Sequence, residues 1–135
     1  MKRLILAVIV VFVAWQVLDF VLHGLILMKT YQETASLWRP MEEMKRGVMM
    51  LVCLVAATSF VVIYAGLVHT RSVATGLKYG LIFGAATGAS MGFGSYSFLP
   101  IPLSLAFAWF IGSLVEYAVA GLLVGWIVKE ADEKA

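Results

Sequence analysis

The sequence predicts an all-α protein, a polytopic bundle of four transmembrane helices, and three observations predict it. The first is composition: 62% of the 135 residues are hydrophobic and only 13% are charged. A water-soluble domain of this length cannot hide so much apolar surface, so a bilayer must act as the solvent. The second is segmentation: four apolar stretches, at about 4–28, 47–68, 77–99 and 103–128, each reach the roughly 20 residues that cross a hydrocarbon core of about 30 Å. The third is the glycine pattern of the third stretch, treated below. A single membrane domain spanning 1–135 is expected.

Span one opens after Met1-Lys2-Arg3, a start that imitates a secretory signal. Its apolar run continues to Met28, too long for a signal core, and is read as an uncleaved first helix. The run contains 17 Leu, Ile, Val and Phe residues. At about −0.3 to −0.6 kcal/mol each they outweigh one Asp at roughly +3 kcal/mol, so the helix inserts despite Asp19. A polar loop of 18 residues, Lys29–Arg46, follows. Within it, Pro40 followed by Glu42, Glu43, Lys45 and Arg46 has the order of a helix start, which predicts that span two begins in solvent near Pro40. Tyr31 and Trp38 suit the interface, where amphipathic aromatic rings collect. A short polar turn, His69–Gly76, leads to span three. Pro100-Ile101-Pro102 is an uncharged tight link to span four, because proline disfavours helix at its own position and just before it.

Four spans put both termini on one side. That side carries Lys2, Arg3, Arg71, Lys78, Lys129 and Lys134, and the other carries Lys29, Arg39, Lys45 and Arg46. The excess of basic residues predicts cytoplasmic termini. The net charge of +2 forms no basic stripe, which argues against nucleic acid as a partner. Cys53, the one cysteine, excludes an intrachain disulfide and reads as a small apolar residue within span two.

Gly76, Gly80, Gly84, Gly88 and Gly92 recur every four residues in span three and lie along one helical face. Small residues let helix backbones approach closely, the main source of helix association in lipid. The stripe predicts tight packing, either inside the bundle or in a homo-oligomer or partner-subunit interface.

Asp19 and His23 are four residues apart in span one, with Gln16 three residues before Asp19. They form one polar stripe on an apolar rod. Glu116 lies near the middle of span four. At ~1.5 Å rise per residue, Asp19 sits roughly 4–5 Å to the outer side of the midplane, compatible with one buried cluster of Gln16, Asp19, His23 and Glu116. Intramembrane acids are costly and mark function. Three uses compete: interhelical hydrogen bonding, a proton or cation path, and a divalent-metal site on Asp19, His23 and Glu116. Thr58, Ser59 and Thr87 are further mid-span candidates for hydrogen bonding.

No nucleophile elbow, phosphate-binding loop or His-Glu-x-x-His helix is present in the sequence, and nothing implies a cofactor. The stretch Leu18-Asp19-Phe20-Val21-Leu22-His23-Gly24, followed by Leu37-Trp38-Arg39-Pro40 and the glycine-rich third span, resembles small four-span bacterial membrane proteins of uncharacterised function. The resemblance covers nearly the whole chain and implies a fold without a mechanism. The expectation is a non-enzymatic accessory or assembly component, with a small proton- or cation-coupled transporter as the alternative.

Overall fold

A computed structural model describes residues 1–128; Lys129 and Lys134, used above for orientation, lie outside them. The described residues are all-helical, with no strand. Helix α1 (Lys2–Asp19) runs into a wider π-helical stretch, Phe20–Ile26. There the Leu27 amide donates to the Leu22 carbonyl, five residues back, at 2.8 Å. A short α2 (Met28–Glu33) turns away along the end of the molecule. Next come α3 (Arg46–Leu67), α4 (Val73–Gly88), a second π-helical stretch (Ala89–Gly94), α5 (Ser95–Phe98) and α6 (Leu103–Ile127).

Among the described residues, three helical runs are long and apolar enough to cross a membrane: Lys2–Ile26, Arg46–Leu67 and Leu103–Ile127. The expected third span is helical from residue 73 to residue 98, but it is not among these three. Its glycines, with Ser, Thr and Lys78, replace the large apolar side chains that the other runs carry.

Two expected boundaries move. Pro40 starts only a single 3-10 turn, Met41–Glu43, because Met44 returns to an extended conformation (ψ 129°), so α3 starts at Arg46. The second turn is shorter than expected because α4 starts at Val73. The Ser72 hydroxyl accepts the Thr75 amide at 3.1 Å, a side-chain N-cap.

One apolar core joins Ala7, Val11 and Trp15 of α1 to Ala57, Phe60, Val61 and Tyr64 of α3 and Ala120 and Val124 of α6; Tyr79 and Phe83 of α4 pack on its edge. Tyr79 donates to the Phe60 carbonyl at 2.7 Å, and Tyr64 to the Ser72 carbonyl at 2.9 Å. A second core, Leu27, Ile101 and Leu105, closes the other end, where Tyr31, Leu37, Trp38 and Trp109 cover it.

The five striped glycines are buried against α6. A Cβ on Gly84 would lie 2.8 Å from the Ser113 carbonyl oxygen, and one on Gly88 2.8 Å from that of Phe110. Gly76 faces the Gly121 carbonyl in the same way, Gly80 that of Tyr117, and Gly92 that of Ala106. Helix α3 packs differently. Its inner half is in the core, but every residue from Lys45 to Val52 is exposed. Eight consecutive residues include every face of a helix, so the first two turns of α3 stand away from the rest of the chain.

Candidate functional site

The polar side chains of α1 meet the other helices in the stretch where α3 begins to pack. Gln16 donates from Nε2 to Cys53 Sγ at 3.1 Å. The carboxyl groups of Asp19 and Glu116 come within hydrogen-bonding reach of each other, while Glu116 Oε1 is sealed from solvent without a hydrogen-bond partner. Trp15, 5% exposed, donates to the Glu116 backbone carbonyl at 3.0 Å and fixes this turn of α6 against α1. Tyr117, the next residue, is within hydrogen-bonding reach of Thr87 on α4 and packs tilted against Trp15 with ring centroids 4.8 Å apart. All four long helical runs thus contribute a polar group to one neighbourhood.

A chain of hydrogen-bonding groups leads from this neighbourhood toward α2. His23 Nε2 lies 3.8 Å from Asp19 Oδ1, and His23 Nδ1 lies 2.5 Å from the Tyr31 hydroxyl. Trp109 donates to that hydroxyl at 2.8 Å. An indole N–H can only donate, so Tyr31 accepts there and its own proton is free to go to His23 Nδ1. That pattern assigns the neutral imidazole proton to Nε2, facing Asp19. Tyr31 is held in turn by Trp38, edge-on at 5.6 Å, whose indole donates to Thr34 at 2.8 Å. Burial raises the Tyr31 phenol above its ordinary pKa; the Trp109 hydrogen bond offsets part of this, and the Asp19 charge adds to it. The phenol therefore keeps its proton at neutral pH.

The expectation of a buried charged cluster is corrected. No polar or charged residue among those described is buried; the Asp19 and His23 side chains are 44% and 42% exposed. The cause is the stand-off of α3, which leaves the C-terminal part of α1 without a helix on that side. Of the other candidates, Thr87 reaches Tyr117, whereas Thr58 bonds the Leu54 carbonyl of its own helix and Ser59 is exposed. The metal reading finds no support, since no group of three or more His, Cys, Asp or Glu among the described residues is placed to hold an ion.

Sequence reasoning missed Tyr31 and Trp109 as site residues, and Cys53 and Tyr117 with them. Only their aromatic or thiol character marked them, and their hydrogen-bond partners lie 8 to 78 residues away.

An apolar groove of about 340 Å³ opens between α1 and α6 beside this site. Leu18, Leu22 and Ile26 line one wall, Ala108, Ile111 and Val115 the other, and Glu116 closes one end of the lining. Searches of family models, of curated proteins and of solved structures find nothing that matches this chain.

Proposed function

We propose that the protein is a small four-span membrane carrier that moves protons or couples them to a cation. The Asp19–Glu116 carboxyl pair would be the exchange site, and His23 and Tyr31 its link to the outer surface. One observation carries the reading: Glu116, Asp19, His23, Tyr31 and Trp109 follow one another at hydrogen-bonding or ion-pair distances. Two carboxyl groups in such contact share a proton readily, because both cannot stay ionised side by side. A proton passed from His23 Nε2 to Asp19 is replaced at Nδ1 by the Tyr31 hydroxyl, which takes a proton from water at the same time and stays a neutral phenol, so the assigned bond directions favour inward transfer. Both chain ends on the cytoplasmic side of a bacterial inner membrane, with the run 73–98 as the fourth span, complete the reading. The excess of basic residues on that side supports it. The resemblance to small four-span bacterial membrane proteins agrees with it.

The test is proton flux into proteoliposomes carrying a trapped pH indicator. Wild-type flux well above empty liposomes is expected, with Asp19→Asn and Glu116→Gln each reducing it at least tenfold while eluting as folded protein. Wild-type flux equal to that of empty liposomes would sink the carrier.

A second reading keeps the protein as a non-enzymatic assembly component. The uncovered turns Lys45–Val52 favour it, since a partner subunit could cover them. The glycine face of α4, already in contact with α6, offers no room for that role. Met49→Arg would then release a co-purifying membrane protein; a partner retained in that variant would count against this interface.

A further inference from the structure

We infer that two copies of the chain pair across the gap between α1 and α3, and that Arg46 of each copy supplies the cation which the Asp19–Glu116 pair of the other lacks. The inference does not depend on proton movement. It rests on the assembly reading of the uncovered turns and names what covers them.

Two independent features meet at this gap. One is a pair of acids without a base. The ionisable groups around Asp19 and Glu116 are His23, Tyr31, Cys53 and Tyr117, none of them a Lys or Arg. The Asp19 and His23 side chains are nevertheless 44% and 42% exposed, on the side that α3 leaves open. Acids at membrane depth pair or face the protein interior, because a charge turned to hydrocarbon is costly. The other feature is a base without an acid. Arg46 opens α3, is exposed, and takes part in neither of the ion pairs among the described residues, Asp19–His23 and Lys29–Glu33. It belongs to the exposed stretch Lys45–Val52, about 12 Å of helix.

The register puts acid and base at nearly one level. Helices α1 and α4 both run antiparallel to α6: Trp15 meets Glu116 and Leu22 meets Gly112, while Gly76 meets Gly121 and Gly92 meets Ala106. Helix α3 turns back into α4 through a short link, so it runs antiparallel to α1. Counted from the Gln16–Cys53 bond, Asp19 is then level with Met50, and His23 with Arg46. A two-fold axis along the membrane normal keeps depth the same in both copies. Arg46 of one copy is therefore level with His23 of the other and one helical turn, about 5 Å, from Asp19. An arginine side chain spans that distance. The pairing is self-complementary, since each copy gives its arginine and takes the other's. Met49 and Met50, one turn before Cys53, fill the gap beside it as adaptable apolar side chains.

The test is dimerisation of the purified full chain in mild detergent, read by native mass spectrometry with one copy mass-tagged. The wild type is expected to dimerise. Arg46→Glu and Asp19→Arg should each weaken the dimer at least tenfold, since each sets like charges face to face. Mixed in equal amounts, these two variants should form the mixed dimer about as strongly as wild type. There each reversed residue meets its complement, and native Arg46 meets native Asp19. Ile111→Phe, in the groove between α1 and α6, should leave dimerisation within twofold. Where Asp19→Arg does not elute as folded protein, Asp19→Asn takes its place: its mixed dimer with Arg46→Glu should be at least tenfold tighter than the dimer of Arg46→Glu alone. A monomeric wild type overturns the inference; one that is monomeric yet holds a different membrane protein, released by Met49→Arg, leaves the assembly reading standing. Recovery only when both reversals sit in one chain also overturns it, because the ion pair is then internal to the chain.

Discussion

The α4–α6 seam and the α1–α3 seam join helices by opposite means. Along the first, glycines of both helices bring backbone onto backbone: a Cβ on Gly76 would sit 2.9 Å from the Cα of Gly125. Along the second, Trp15 meets Phe60 with ring centroids 5.8 Å apart, and contact stops near Cys53. Small residues give a long contact of backbone on backbone. Aromatic side chains hold helices apart, and polar groups find space between them. The candidate site lies where the second kind of packing ends.

That contrast is broken most directly at Gly80. A Cβ there would meet the Tyr117 backbone carbonyl, and backbone does not yield as a side-chain tip does. Gly80→Ala should cost about 1–3 kcal/mol from overpacking, and Gly80→Leu should prevent folding. Thermal or denaturant unfolding in detergent measures it. Gly66 of α3 has nothing within 4 Å of a Cβ. Gly66→Ala should stay within about 1 kcal/mol of wild type, on the stabilising side from helix propensity. Equal effects at the two positions would mean that the seams do not differ.

The seam was the more legible half of the molecule. Five glycines at intervals of four mark one face whatever it meets, since helical periodicity alone puts them there. The pairing of Asp19 with His23 was legible for the same reason. The rest of the site was not. Trp15 donates to a backbone carbonyl 101 residues away, and Trp109 to a hydroxyl 78 residues away. No local period encodes such contacts. The stand-off of α3 is equally invisible, because Val48, Met49, Met50 and Leu51 are as apolar as core residues, and only the absence of neighbours distinguishes them. Nor does the sequence mark the π-helical turn that carries His23, a local widening of a kind often found at functional sites.

Two smaller changes sharpen the account of the aromatic end. Trp109→Phe keeps the ring near Trp38 but removes the hydrogen bond to Tyr31. It should cost about 0.5–1.5 kcal/mol of stability. If the relay is real, it should also slow proton flux without abolishing it, because Tyr31 can still reach His23. A loss of flux as complete as in Glu116→Gln would mean that Trp109 acts in the path itself.

The smallest effect is a titration. Burial raises the Tyr31 phenol, so the folded protein holds this proton more tightly than the unfolded chain does. The resulting stabilisation is fully present below the ordinary tyrosine value near pH 10 and is lost as pH rises through the folded pKa. The difference in phenolate absorbance between wild type and Tyr31→Phe should therefore appear above pH 10. In a Trp109→Phe background it should move higher still, because the indole N–H that favours the phenolate is gone. A Tyr31 component titrating at or below pH 10 would place the hydroxyl in open water. The aromatic end would then not be the closed surface that Trp38 and Trp109 make of it.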